Sequence, residues 1–161
     1  MFGLSVELRR NNAHTATLVA NLFNMKYVIT LALLMMLTLI RAQEKPIKVV
    51  FDITSKDTAT HSAVVRHVSL MSKSYPQSTF EVVIYGGAVP MVLSEKSTVQ
   101  KKISQLVTNR NVSFKVCAVA MNKWGATPAN LIPGVSVVPD GILEIVTLQG
   151  EGWGYIKEAH N

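Results

Sequence analysis

The feature that most restricts the folds open to this chain is a series of short, strand-length apolar runs, each followed by a longer stretch of helical period. "IKVVFDIT" (47–54) comes first. Its Val49-Val50-Phe51 centre is apolar on both faces, as a strand buried inside a parallel sheet requires. In "DTATHSAVVRHVSLMSKSY", Val64, Val68 and Met71 recur at i, i+4 and i+7, one face of an amphipathic helix, and Pro76 stops it. "TFEVVIYGGAV" (79–89) is a second strand, broken by Gly86-Gly87. "STVQKKISQLVTN" predicts a helix, with Ser97 and Gln100 at capping-box spacing and Val99, Ile103, Leu106 and Val107 on one face. "RNVSFKVCAVAM" is a third strand. Thr127-Pro128 suits the N-cap and first position of a short helical turn, and "VSVVP" (135–139) is a short fourth strand. "DGILEIVTLQG" puts Ile142, Ile145, Val146 and Gln149 on one side of a helix that Gly150 can close, and "GWGYIKEA" adds a last strand. The alternation predicts an α/β fold: a three-layer sandwich around a mostly parallel sheet of about five strands.

Apolar residues make up 48% of the 161 residues, and much of the excess lies in "MKYVITLALLMMLTLIRA" (25–42). Lys26 gives a positive start, 28–40 is almost wholly apolar, and Ala42 precedes a polar "QEKP". This is the layout of a secretory signal peptide, and the run is shorter than the about 20 residues that span a bilayer. Residues 1–24 show no sustained period, so Met25 is read as the initiator and 1–24 as a non-native or disordered extension. A domain over 43–161 remains, with 12 Lys+Arg and 9 Asp+Glu, a net +3 against +6 for the whole chain. No long basic run with interleaved aromatics occurs, so nucleic-acid binding is not expected, nor is a membrane span in the cleaved chain.

The chain lacks a G-x-G-x-x-G after a strand, a P-loop, a C-x-x-C, an H-E-x-x-H and a G-x-S-x-G. No metal and no organic cofactor are expected. The single cysteine, Cys117, cannot form an internal disulfide. In parallel sheets, ligands sit beyond the carboxyl ends of the strands. Those ends carry Asp52 on the first strand, Tyr85, Gly86 and Gly87 on the second, and Cys117, Met121 and Asn122 on the third. Amide groups at the glycines, or a helix N-terminus, could favour a Cys117 thiolate. Equally, a cysteine between Val116 and Ala118 can be a packed filler. Asp52 reads either as a hydrogen-bonded strand-end carboxylate or as a proton carrier, and His61 and His67 as packing or surface residues. Trp124, Trp153 and Tyr155 read as core or subunit-contact aromatics before ligand walls.

"FEVVIYGGAV", "VSFKVCAVAM" and above all "GVSVVPDGILEIVTLQGEGWGYIK" resemble the DsrE/DsrF-like sulfur-relay family, over nearly all of 48–157. The chain looks like its small, exported single-domain members. The resemblance implies an α/β sandwich assembled as a homotrimer or homohexamer. It also implies that the cysteine at the position of Cys117 accepts sulfane sulfur as a persulfide, as in some members of the family. The expected function is therefore a periplasmic or secreted sulfur carrier or sulfurtransferase, with a thiol or persulfide donor and acceptor. With no second cysteine, the acceptor is another molecule. Two rivals are a non-enzymatic small-ligand or protein-binding module on the same fold, and a redox sensor in which Cys117 pairs between chains.

Overall fold

A computed structural model describes residues 26–31, 33 and 45–159. The reading of 1–24 as an extension lies outside the described residues. So does most of the 25–42 signal peptide, of which 26–31 and 33 are helical. Among the described residues no helix is long and apolar enough to cross a membrane.

The α/β unit that starts at Lys45 runs β1 (Lys48–Ile53), α1 (Thr58–Ser74), β2 (Thr79–Ile84), a 3-10 helix (Gly86–Val92), α2 (Gln100–Leu106), β3 (Val112–Cys117), α3 (Ala118–Lys123), a 3-10 turn (Pro128–Asn130), β4 (Ser136–Val138), α4 (Gly141–Gly150) and β5 (Gly154–Lys157). The five strands form one sheet in the order β4-β3-β2-β1-β5, and every ladder in it is parallel. Helix starts are set locally. Asp57 accepts from the amides of Ala59 and Thr60 at α1, and Asp140 accepts from those of Ile142 and Leu143 at α4.

The strand order explains the layers. From β1 to β4 the chain steps one way across the sheet, so right-handed crossovers put their helices on one face. From β4 to β5 it returns past three strands, so α4 falls on the other face. The first layer is sealed. Val64, Val65 and Val68 of α1, Ile103 of α2 and Met91 of the 3-10 helix cover Phe51, Phe80 and Phe114, all essentially inaccessible to solvent. On the opposite face, Ile145 and Leu148 of α4 cover Val50 and Val83.

Four local expectations change. The third strand stops at Cys117, and Ala118 onward is helical. The segment after Tyr85 curls into a 3-10 helix instead of prolonging β2. At α2 the cap residue is Val99 and makes no side-chain cap hydrogen bond; Ser97 Oγ accepts from the Val99 amide at 3.2 Å, a local turn in place of the capping box. On α4 the buried residues are Ile145 and Leu148, while Ile142 and Val146 point outward.

Candidate functional site

The crossover reversal builds the site. The loop after β3 turns toward the α1 face and the loop after β4 turns toward the α4 face, so a crevice opens where they part. It is a cavity of about 470 Å³ lined by Tyr85, Gly86 and Gly87 after β2, Cys117 at the end of β3 with Val119, Ala120, Lys123 and Trp124 after it, and Asp140 and Ile142 after β4. Trp124 is held as a wall by its indole Nε1, which donates to Gly86 O at 2.9 Å.

Cys117 is the last residue of β3 and lies at the α3 N-terminus, with φ −67° and ψ 123°. Strand alternation turns Val112, Phe114 and Val116 into the α1-side core and Cys117 toward the α4 face, where it meets Gly141; as the end residue of the strand, Cys117 also packs with the buried cluster of the α1 side. Its side chain makes no cap hydrogen bond to the α3 amides. Cys117 is only 6% exposed, yet it forms part of the cavity wall. Gly141, the first residue of α4, is what lets the helix start so close: a Cβ there would lie 3.1 Å from Cys117 Cβ and 3.3 Å from Val83 Cγ1. Gly87 has a similar role, since its Cβ would fall 3.0 Å from Thr54 O.

Behind the cavity stands a carboxylate network. Tyr155 Oη donates to Asp52 Oδ2 at 2.7 Å and Tyr85 Oη to the same oxygen at 3.3 Å. Lys157 Nζ donates to Asp52 Oδ1 and to Thr54 Oγ1, each at 3.0 Å. Burial, then the Asp52 charge, pushes the Tyr85 hydroxyl up to about 12. The hydrogen bond to Asp52 leads in pushing Tyr155 up to about 12 as well. Both phenols stay protonated at neutral pH and tie the Tyr85 ring in place. Further along the same face, Lys115 Nζ bonds Glu144 at 2.6 Å and Glu81 at 3.0 Å. Burial raises the Glu81 carboxyl above its ordinary value, against the lowering pull of Lys115 and Ser113.

The structure thus brings Cys117, Tyr85, Gly86 and Gly87 together. Asp52 stands behind Tyr85 and does not line the cavity. Met121 does not either: it is turned into the α1-side core, because α3 begins immediately after Cys117 and the residue no longer lies on a strand. Asn122, on the exposed side of that short helix, is also absent from the lining. His61 is buried and its Nε2 lies 2.8 Å from Ser55 O, while His67 pairs with Glu158 at 2.8 Å; neither reaches the cavity. Sequence reasoning missed Lys123, Asp140, Gly141 and Ile142. Their signal was position alone: they follow the carboxyl ends of β3 and β4. Among the described residues no group of three His, Cys, Asp or Glu is placed to hold a metal ion.

A parallel α/β sandwich with a ligand-sized crevice at its strand carboxyl ends is the class that fold and site define. The model of the DsrE/DsrF-like family matches residues 48–157, and the chain belongs to that family, which is associated with sulfur relay in general. Among solved structures it is similar to MTH1491 from Methanobacterium thermoautotrophicum, a protein of unknown function. The two are 29% identical with a TM-score of 0.65, over 69% of this chain and 98% of that one. The ychN protein from E. coli (15% identity, TM-score 0.59, 70% and 98% of the two chains) shares the fold. So does BT1422 from Bacteroides thetaiotaomicron (14% identity, TM-score 0.57, 68% and 93%). No curated protein matches the chain.

Proposed function

We propose that the protein is an extracytoplasmic sulfur-relay carrier that holds sulfane sulfur as a persulfide on Cys117. The observation that carries this is the sole thiol of the chain in the wall of a cavity at the strand carboxyl ends. The chemistry is exchange at sulfur. The Cys117 thiolate attacks the outer sulfur of a donor persulfide, the donor S–S bond breaks, and the donor leaves as a thiol. A second thiol, on an acceptor molecule, then attacks the outer sulfur of Cys117–S–SH and restores Cys117. Incubation with a polysulfide should add the mass of one sulfur to the chain, and Cys117→Ser should take up none. Absence of the adduct with several donors would overturn the reading.

The 6% exposure of Cys117 favours a second reading, a ligand- or protein-binding module in which the thiol is packing. Slow reaction of the folded protein with a bulky thiol reagent, together with no sulfur adduct, selects that module. Rapid reaction selects the carrier.

Assembly as a homotrimer or homohexamer belongs to the same proposal. It is supported by Ile142, Leu143 and Val146, which α4 leaves 59%, 62% and 58% exposed. Sedimentation velocity should give a species of three or six chains, and a monomer would refute it. Export is supported by the charged start, apolar run and Ala42 of 25–42. Mass spectrometry of the native protein should find Gln43 as the first residue; a peptide from before Met25 would contradict it.

A further inference from the structure

The cavity has a chemistry of its own, and it says what kind of donor fits. Its volume, about 470 Å³, lies within the range of small-molecule pockets, roughly 300–1,000 Å³, and the buried Cys117 forms part of its wall. Most of its wall is carbon from Val119, Ala120, Ile142 and the Trp124 indole.

The charges at the mouth are unequal. Lys157 lies 5.7 Å above the Tyr85 ring, but its ammonium is ion-paired with Asp52. Asp140 lines the cavity, yet its Oδ1 accepts from the amides of Ile142 at 2.8 Å and Leu143 at 3.3 Å. The positive end of α4 offsets that carboxylate. Lys123 also lines the cavity, is exposed, and has no carboxylate partner among the described residues. An uncompensated ammonium over an apolar pocket raises the local concentration of anions.

We infer that the donor for Cys117 is a small persulfide carrying carboxylate groups, selected by Lys123 at the mouth and by the apolar wall of Trp124 and Ile142. This rests on the carrier reading above. The donor R–S–SH enters with its carboxylates toward Lys123 and its outer sulfur toward Cys117. The thiolate electron pair forms the new S–S bond, and the electrons of the broken one stay on the inner sulfur. R–S⁻ leaves and takes up a proton from water. Cys117 is oxidised to the persulfide as the donor is reduced to its thiol, so no further oxidant enters.

The test is the rate at which the full chain gains one sulfur from three donors of different charge. These are glutathione persulfide (anionic), the persulfide of β-mercaptoethanol (neutral) and cysteamine persulfide (cationic). At low salt the anionic donor should load about tenfold faster than the cationic one, and the gap should shrink as salt is raised. Lys123→Arg should keep the ranking and Lys123→Glu should reverse it, with unchanged circular dichroism showing that both variants fold. Equal rates for all three donors, or a ranking untouched by Lys123→Glu, would overturn the inference and leave the carrier standing. No adduct from any donor would overturn both.

Discussion

On the α1 side of the sheet, three phenylalanines, Phe51, Phe80 and Phe114, are sealed under valines of α1 and Ile103 of α2. On the α4 side, Val50 and Val83 share the surface with Asp52, Glu81 and Lys115, and one ten-residue helix covers them. The first face is held by close packing of carbon. The second is held by ion pairs and phenol hydrogen bonds, and it includes one buried oxygen, Glu81 Oε1, with no partner among the described residues. Such polar contacts contribute little net stability, because each partner gives up water to form them. They do fix positions: Tyr85, the wall of the Cys117 cavity, is anchored through Asp52. One face gives the domain its stability, and the other positions the site and leaves apolar side chains free for a partner.

The largest break in this comparison is Phe114→Ala, a cavity in the sealed face that should cost about 3–5 kcal/mol in chemical denaturation. Gly141→Ala tests the other face. Overpacking against Cys117 and Val83 should cost about 1–3 kcal/mol and slow modification of Cys117 by thiol reagents. A variant as stable and as reactive as the parent would contradict the close approach of α4.

Asp52→Asn should cost about 1–2 kcal/mol, and the sharper readout is alkaline titration of tyrosinate absorbance. In the parent, two tyrosines ionise near 12. In the variant both should fall toward the ordinary 10.0, Tyr155 further, because its hydrogen bond to Asp52 is the leading cause of its shift whereas burial leads for Tyr85. Raised phenol values mean that the folded state holds these protons more tightly. Their stabilising contribution is therefore present below 10 and lost as pH rises through about 12.

Glu81→Gln should change the pH dependence of stability more than its size. A carboxyl raised above 4.5 in the folded state holds its proton more tightly than the unfolded chain does. Its contribution is greatest below 4.5 and is lost as pH climbs through the folded value. The glutamine variant should lack that decline, as denaturation from acid to neutral pH will read. Smallest of all, Ile142→Ser with Val146→Ser should alter the folding stability of the single chain by no more than about 0.5 kcal/mol, as for exposed sites. A fall in sedimentation coefficient without loss of fold would mark those residues as the assembly surface.

Much of this fold is legible locally. β1 and α1 follow from the run Val49-Val50-Phe51 and the repeat Val64, Val68, and they occupy Lys48–Ile53 and Thr58–Ser74. The stretch after Cys117 was not legible, because Ala118-Val119-Ala120-Met121 is an apolar run too short to tell strand from helix. Nor was the buried side of α4. Ile142, Leu143, Ile145, Val146 and Leu148 surround the helix with apolar residues, so periodicity cannot choose between Ile142 and Leu148. Of the cavity wall, Tyr85, Gly86, Gly87 and Cys117 were readable as strand ends, whereas Lys123, Asp140 and Gly141 were not.

By itself the sequence determined that strands and helices alternate, that the first strand is apolar on both faces, and that the sole thiol lies toward the carboxyl end of the third. These are matters of period and composition within a few residues, where local sterics and side-chain burial decide. Only the tertiary structure decided that the loops after β3 and β4 part around Cys117, that Asp52 stands behind Tyr85, and that α4 begins against the thiol. Those distances join segments remote in sequence, and they follow from strand order and crossover hand, which no local period encodes.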